Sequence, residues 1–287
     1  MSTPVIPEHR LMVHRLAEKW AEMGQAPPMP SDRLWRGSQA GKCGRQIAHQ
    51  IAGDEPSNPI SLSGHWVMGL GSAVHEMLAP AIQAWAGESN IKVIDELDVA
   101  LGEHGWGHAD LVIELEEPDR KVLFELKTIN GFGYKKAVID GGGPRHMAKL
   151  QAALYDEAVD ADLMVIGYLA MENVGVGYAK KAGIDEIGRF ASEWHYTRDE
   201  YLPWAKEERE RLEGIALSTR DDGVTAVPRR FSLSDPDIPH PAEITDPKSG
   251  AWKLLDEAGN LLNAGKTWQC NYCAFQDRCV ENHLAFA

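Results

Sequence analysis

The stretch KVLFELKT, residues 121–128, decides the fold class of this 287-residue sequence. Val, Leu and Phe dominate it, and the upstream runs IKVIDELDVA (91–100) and HADLVIEL (108–115) have a similar composition. Short apolar runs bounded by turn residues predict β-strands, and the intervening EEPD turn (116–119) predicts that the last two strands form a hairpin. The sequence therefore predicts a three-stranded meander.

Helical patterns surround this meander, because apolar residues recur there at three- and four-residue spacings. The predicted helices cover 8–24, 38–52, 65–86, 145–159 and 198–214, and two further predicted strands cover 162–171 and 193–196. Strands mixed with helices in this order predict an α/β protein with a mixed central sheet flanked by helices.

Four segments divide the chain. Residues 1–30 are predicted to form a helix and a linker, and residues 31–219 to form the core. The segment 220–250 is dense in proline, which favours a long surface connection without regular structure. The last segment, 251–287, carries three of the four cysteines and is expected to pack with the region of Cys43.

Composition and charge exclude several classes of protein. Lys and Arg total 29 and Asp and Glu total 43, which gives a net charge of −14 and argues against a general binder of polyanions. One basic groove on an acidic body remains compatible with these totals. No apolar run reaches the about 18 residues that a membrane span needs, and charges interrupt the N-terminal stretch, which does not resemble a signal peptide. A cytoplasmic location is the expectation.

Glu125 and Lys127 stand two positions apart on the predicted strand and therefore share one face, while Phe124 and Leu126 are expected to point to the core. Asp110 lies on the preceding predicted strand, where hairpin pairing would bring it next to Glu125. Two carboxylates and an amine suit metal-dependent hydrolysis of a phosphodiester, because carboxylates bind Mg²⁺ or Mn²⁺ and the amine can hold the attacking water. The alternative interpretation is an exposed strand face with a salt bridge.

Two helical pairs extend this constellation. Gly71 and His75 stand at i and i+4 on one predicted helix, which would let His75 act as a further metal ligand. Gln151 and Tyr155 share a helix face in the same way and could bind a phosphate or fix Lys127. The alternatives are a buried, hydrogen-bonded histidine and ordinary core residues.

Four cysteines form a second candidate site. Cys270, Cys273 and Cys279 follow the pattern C-x2-C-x5-C, and Cys43 lies far upstream. Thiolates in such a pattern suit an iron–sulfur cluster or zinc. Joining Cys43 to the C-terminal group would close a loop of over two hundred residues, and the loop-entropy relation makes that constraint worth about 5 kcal/mol. We therefore expect a structural role for this site.

The ordered set G-x-x-x-H, Asp, E-x-K and Q-x-x-x-Y resembles the PD-(D/E)XK nuclease superfamily, and specifically its RecB-like exonuclease branch. The resemblance implies a restriction-endonuclease-like core, with DNA as substrate and a 5′-phosphate product. By position it implies the following roles: His75, Asp110 and Glu125 bind metal, Lys127 is catalytic, and Gln151 and Tyr155 lie beside the active site. The superfamily's proline is absent, since Ala109 precedes Asp110.

The cysteine pattern resembles the iron–sulfur RecB-like exonucleases, which include AddB-type domains and the exonucleases of CRISPR adaptation. That resemblance implies a 4Fe-4S cluster on Cys43, Cys270, Cys273 and Cys279, with zinc as the alternative. Setting these motifs together, we expect a metal-dependent DNA exonuclease of recombination, repair, replication or phage DNA processing. The alternative function is a non-catalytic DNA-binding or scaffold subunit with the same fold.

Basic residues near these motifs are candidates for contacts with DNA phosphates. They are Arg45, Lys135, Lys136, Arg145 and Lys149, and each is alternatively a solvated surface charge. No phosphate-binding loop of the form G-x-x-x-x-G-K-[ST] occurs, so any helicase or recombinase that works with this protein would be a separate partner.

Overall fold

The computed structural model describes residues 30–89, 91–116, 119–172, 174–228, 230, 273–275 and 278. The strands are β1 (Trp35–Arg36), β2 (Lys92–Leu101), β3 (Gly105–Glu116), β4 (Asp119–Ile129), β5 (Leu163–Ala170) and β6 (Ala191–Thr197). The helices are α1 (Gly44–Ile51), α2 (Leu62–Ser89), α3 (Gly131–Tyr134), α4 (His146–Val159), α5 (Val176–Ala182) and α6 (Arg198–Asp222). The prediction of a mixed α/β fold with a central sheet and flanking helices is confirmed.

Two predicted boundaries were wrong for local reasons. The helix predicted from residue 38 begins only at Gly44, because a 3₁₀ turn (Gly37–Gln39) and the left-handed Gly41 come first. Helix α6 continues past its predicted end to Asp222, so the predicted irregular connection starts later than expected. The helix predicted over 8–24 lies outside the described residues.

The sheet is mixed and is split at one edge of β3. Strand β2 pairs with β3 in antiparallel fashion along one edge, from Lys92 opposite Glu114 to Leu101 opposite Gly105. The other edge of β3 is shared by two strands, because β1 pairs with it at positions 105 and 106 and β4 pairs with it from Leu111 onward. Among the described residues, positions 107–110 therefore have no strand partner on that edge.

Strands β2 and β3 are both irregular where Glu96 and Asp110 lie across from each other. Glu96 has a left-handed φ of 48°, and it lies between the pairs Asp95–Leu111 and Leu97–Ala109 of the two strands. On β3, Ala109 and Val112 both belong to the main core although they are three positions apart, so the strand changes the face that it turns towards that core. Asp110 sits inside this irregular step.

The main hydrophobic core lies on the Glu125 side of the sheet. Helices α4 and α6 pack on this face, where Leu123, Met164 and Ile166 are fully buried. The prediction that Phe124 and Leu126 point to the core holds in part. Leu126 is buried, but neither residue belongs to the main core, because both lie on the face opposite to the one that α4 covers. Both side chains instead contact the position of Gly167, whose missing Cβ leaves room for them.

Two compact units divide the chain. One contains the described residues 60–89 and consists of α2, a 28-residue helix with Pro80 inside it. The other contains the whole sheet, α1 and α3–α6. No helix in the described part of the chain is both long enough and apolar enough to cross a bilayer.

Candidate active site

The two strand carboxylates, Asp110 and Glu125, lie where the pairing of β3 with β4 ends. The β3–β4 pairing ends at Leu111 opposite Phe124, and the next positions along the two strands are Asp110 and Glu125. At this point the Leu126 amide of β4 donates its hydrogen bond to a side chain of β3, the Asp110 carboxylate, with 2.8 Å between N and Oδ2. The charge of Asp110 acts on Glu125, so the two carboxylates lie close together.

Glu125 is an unusual carboxylate because its side chain has no exposure to solvent. Lys127 Nζ lies 2.5 Å from its Oε1, yet no described group gives either carboxylate oxygen a well-directed hydrogen bond. Burial, together with the charge of Asp110, raises the pKa of Glu125 to about 8 against the opposing effect of Lys127. Two acids beside one lysine leave a negative charge unbalanced, and a divalent cation bound to the carboxylate oxygens would offset it.

Lys127 stands beside Glu125 on β4 and is 32% exposed, so its amine reaches a solvent-facing space. Burial opposes its charge, but the carboxylates of Glu125 and Asp110 outweigh burial and raise its pKa. In the parallel pairing with β5, Lys127 lies opposite Tyr168. The amine is therefore held in its charged form between two acids and an open cavity.

The third part of the site comes from α4. Gln151 Nε2 donates to the Tyr155 hydroxyl at 3.2 Å, as expected for residues four apart on one helix. Tyr155 is 2% exposed, and burial raises its pKa, with a further contribution from the charge of Glu125. Its hydroxyl is thus a neutral group close to the buried carboxylate.

Two glycines make room for Tyr155. A Cβ at Gly107 would lie 2.5 Å from Tyr155 Cε1, and a Cβ at Gly37 would also overlap the ring. Gly107 belongs to the unpaired edge of β3, and Gly37 follows β1. The ring therefore fills the gap between β1 and β4, which only residues without a side chain can leave open.

A cavity of about 180 Å³ opens next to Lys127. Its walls include Lys127, Arg145, Gln151, Tyr168 and Ser38. The Tyr168 hydroxyl accepts a hydrogen bond from the Arg145 amide at 2.7 Å, which joins the start of α4 to β5. Much of the remaining wall is apolar and includes Ala40, Ile129, Met147 and Ala148, while the cations of Lys127 and Arg145 suit an anionic group such as a phosphate.

His75 lies on α2, in the other compact unit. In the part of the chain that the structure describes, no group of three or more His, Cys, Asp or Glu side chains is arranged to hold a metal ion. The site in the sheet unit thus consists of two carboxylates, and the assignment of His75 as a third ligand stays a prediction.

The predicted DNA-contacting residues have varied surroundings. Arg45 donates to the carbonyls of Val227 and Thr225, both at 2.8 Å, and so ties α1 to the segment after α6. Lys135 pairs with Asp140, and Lys136 Nζ lies 4.9 Å from the centroid of the Phe132 ring.

Arg145 and Lys149 lie closest to the candidate site, since both belong to the start of α4. Arg145 is exposed at the N-cap and lines the cavity beside Lys127. Lys149 is one turn further along the helix and lies over two aromatic rings, those of Tyr196 and Trp204.

Two of the four cysteines lie in the described residues. Cys43 is the N-cap of α1, and Cys273 begins the short described stretch near the C-terminus, whereas Cys270 and Cys279 lie outside the described residues. That stretch docks beside α1, because Ala274 accepts from the Asn58 amide at 2.9 Å and Phe275 stacks on His49 with ring centroids 5.1 Å apart.

Several residues of the site were missed by sequence reasoning. Tyr168 and the two glycines around Tyr155, Gly37 and Gly107, were not singled out. A usable signal existed for Gly107, because a glycine inside an apolar strand often marks a close approach. Nothing local distinguishes Tyr168 from a core tyrosine.

No protein-family model matches the sequence, and no curated protein does either. Among solved structures, the chain is similar to that of SSO0001, with 15% identity, coverage of 93% of this chain and 95% of that chain, and a TM-score of 0.47. It is also similar to an alkaline exonuclease (LHK-Exo) from Laribacter hongkongensis, with 12% identity, 72% and 98% coverage and a TM-score of 0.39.

A phage-related exonuclease from Haemophilus somnus 129PT is similar at 14% identity, with coverage of 72% of this chain and 94% of that chain and a TM-score of 0.39. With TM-scores this low, the functional conclusion depends on the side chains of the candidate site themselves.

Proposed function

We propose that this protein is a metal-dependent deoxyribonuclease, an exonuclease of the RecB-like PD-(D/E)XK type that hydrolyses phosphodiester bonds. The observation that carries the proposal is Glu125, a fully buried carboxylate with unsatisfied oxygens that stands between Asp110 and Lys127. A structural salt bridge alone would not require such an arrangement, because an unsatisfied buried acid is destabilising.

Asp110 and Glu125 would hold Mg²⁺ or Mn²⁺, with His75 as the proposed third ligand. When bound, the ion supplies a Lewis acid for the phosphate and lowers the pKa of a bound water. The Asp110 carboxylate is already oriented, because its Oδ2 accepts from the Leu126 amide. Glu125 is oriented by burial and by Lys127.

Lys127 is the proposed catalytic amine. Its charge, kept by the two neighbouring acids, would offset the negative charge that develops on the phosphate, and it would hold the attacking water. Gln151 and Tyr155 would act as positioning residues, because their hydrogen-bonded pair borders both the cavity and the buried carboxylate.

The test is digestion of linear single-stranded and duplex DNA with Mg²⁺ or Mn²⁺ and with EDTA. We expect cleavage only with metal, and Lys127→Ala should lower its rate by about a hundredfold or more. Lys121→Ala, on the same strand but away from the split, is the matched control and should digest DNA at the parental rate. A Lys127→Ala protein that is as active as the parent contradicts the proposal, and binding of DNA without any cleavage would favour a non-catalytic subunit.

The role of His75 has its own matched control on the same helix. His75→Ala should raise the Mg²⁺ or Mn²⁺ concentration needed for half-maximal cleavage, whereas His65→Ala should leave it unchanged. Loss of one ligand typically weakens a metal site by at least about tenfold. Equal metal dependence of the two variants would remove His75 from the ligand set.

The four cysteines are proposed to hold a 4Fe-4S cluster, with zinc as the alternative. Cys43 caps α1, and residues 273–275 dock against the same helix through the contact of Phe275 with His49, which supports a site that joins the two segments. Metal analysis of anaerobically purified protein distinguishes the two, because an iron–sulfur protein is brown and a zinc protein is colourless. Protein without either metal would contradict the assignment.

A further inference from the structure

A row of aromatic side chains leads away from the candidate site. It consists of Tyr168 on β5, Trp194 and Tyr196 on β6, and Trp204 on α6, and we call these four residues the aromatic strip. Tyr168 and Trp194 meet edge to face with ring centroids 5.2 Å apart, and Tyr196 and Trp204 do so at 5.3 Å. Because Tyr168 also lines the cavity beside Lys127, the strip is continuous with the candidate site.

Tyr168 is buried, whereas the other three residues of the strip have one side on the core and the other towards solvent. Trp194 and Tyr196 alternate with outward residues on β6 and lie opposite Ile166 and Met164, so they share the face that α4 covers. Strand β6 ends the order of paired strands in the described sheet. Trp194, Tyr196 and Trp204 are therefore half-buried, with part of each ring accessible.

Cations accompany the strip although the protein as a whole is acidic. Lys149 Nζ lies 5.7 Å from the centroid of the Tyr196 ring and 5.6 Å from that of Trp204. Arg145 is exposed where the strip meets the cavity. The neighbouring acid Glu200 caps α6, because its Oε2 accepts from the Thr197 amide at 2.7 Å and from the Thr197 hydroxyl at 2.8 Å.

We propose that the aromatic strip binds single-stranded DNA and guides it to the candidate site, an inference that rests on the proposed nuclease function. Unpaired bases offer ring faces that stack on aromatic side chains, whereas the bases of a duplex are already stacked on one another. Lys149 and Arg145 would contact the phosphates that run beside those bases. Charge complementarity and continuity with the cavity thus select a single strand as the occupant.

The experiment measures binding of a short fluorescein-labelled oligothymidylate by fluorescence anisotropy, in EDTA so that no cleavage occurs. Trp204→Leu keeps an apolar side chain but removes the ring, and Trp204→Phe keeps a ring. We expect Trp204→Leu to bind roughly 5- to 150-fold more weakly than the parent, which corresponds to one lost base stack, and Trp204→Phe to retain most of the affinity. Thermal unfolding checks that both variants are folded.

Lys149→Gln tests the electrostatic contribution to binding of the oligonucleotide. It should weaken binding and lower the slope of log affinity against log salt by about 0.7, the value for one lost contact with a single strand. Lys206→Gln is the matched control, because residue 206 is exposed on α6 and lies about 200° around the helix from Trp204. It should leave both quantities unchanged.

The outcomes separate this inference from the proposed function. If Trp204→Leu and Trp204→Phe bind the oligonucleotide with equal affinity, or if the strip variants bind like the parent, the strip does not bind single-stranded DNA. That conclusion holds even if the parent digests DNA. Conversely, strip-dependent binding by a protein that never cleaves DNA with metal would support the strip and contradict the nuclease. A loss that is equal for single-stranded and blunt duplex DNA would also overturn it, because the strip requires unpaired bases.

Discussion

At the scale of single residues, the candidate site depends on which atoms are allowed to come close. Tyr155 reaches the vicinity of Glu125 only because Gly37 and Gly107 have no side chains. The same ring fills the gap between β1 and β4. Glycine is used here for space, since neither residue has a left-handed φ.

Gly107→Ala should therefore disturb both stability and activity. A new methyl group would lie 2.5 Å from the Tyr155 ring, and overpacking of this kind lowers the free energy of unfolding by about 1–3 kcal/mol. We also expect cleavage to slow by at least about tenfold, because the displaced Tyr155 no longer borders Glu125. Urea denaturation and DNA digestion measure the two effects.

Gly214→Ala is the matched control for this change. Gly214 is exposed on α6, no atom lies within 4 Å of the added Cβ, and alanine favours the helix by about 0.5–1 kcal/mol. This variant should be as stable as the parent or more stable. If the two alanine variants unfold at the same urea concentration, the close contact with Tyr155 has no energetic consequence.

The carboxyl group of Asp156 leads to a prediction about how the stability of the protein depends on pH. It is fully buried at the α4–α6 interface. The hydroxyl of the neighbouring Tyr201 donates its hydrogen bond to the Ala161 carbonyl rather than to the Asp156 carboxyl. Burial raises the pKa of Asp156 to about 8, although Tyr201 and Arg198 oppose the shift. The folded state thus holds a proton that the unfolded chain, with an ordinary aspartate, releases near pH 4.

Because the folded state binds more protons between about pH 4 and pH 8, this residue lowers stability as pH rises through that window. The effect has a slope of about 1.4 kcal/mol per pH unit and levels off above the folded pKa. Asp156→Asn removes this contribution, so the stability of the variant relative to the parent should grow from pH 5 to about pH 8. A constant difference across that range would show that Asp156 does not titrate as described.

At the scale of elements, α6 anchors the loop that precedes Cys43. Glu208 and Arg211 form a buried bidentate pair, at 2.6 and 2.8 Å. Glu208 also accepts from the Gly41 amide at 2.8 Å, and Arg211 donates to the Lys42 carbonyl at 3.1 Å. One helix thereby satisfies the polar backbone of the segment that leads into α1.

Arg211→Ala should lower the free energy of unfolding by about 3–5 kcal/mol, because it leaves Glu208 buried without its countercharge. Arg209→Ala is the matched comparison, since Arg209 pairs with Glu157 in a partly exposed bridge that is worth about 1 kcal/mol or less. Chemical denaturation of both proteins checks the difference. Equal losses would mean that burial of the first pair has no special consequence.

At the scale of the whole molecule, the proposed cysteine site joins distant parts of the chain. Cys43 and the C-terminal cysteines are separated by more than two hundred residues. The described contacts of Ala274 with Asn58 and of Phe275 with His49 place the C-terminal stretch beside α1. A metal site at this junction would restrict the unfolded chain more than any local contact does.

Cys273→Ala should therefore lose bound metal and about 5 kcal/mol of unfolding free energy, as the loop-entropy relation suggests. Phe275→Leu is a comparison that keeps all four cysteines and should retain the metal, with a smaller loss of stability. Metal analysis and denaturation of both variants provide the measurement. A Cys273→Ala protein with the metal content and stability of the parent would contradict the proposed site.

The sequence by itself determined the local geometry of the candidate site. Glu125 and Lys127 share a strand face and Gln151 and Tyr155 share a helix face, because the backbone repeats every two residues in a strand and about every 3.6 residues in a helix. The short turn before residue 119 likewise required β3 and β4 to be neighbours. These properties follow from spacing along the chain and need no knowledge of packing.

Only the tertiary structure decided how that geometry is surrounded. The gap on the edge of β3, the complete burial of Glu125 and the fit of Tyr155 between Gly37 and Gly107 bring together residues that are far apart in sequence. The same holds for the aromatic strip, which comes from three different elements. Such contacts depend on how strands and helices pack, and packing follows from the shape of the whole core rather than from any local repeat.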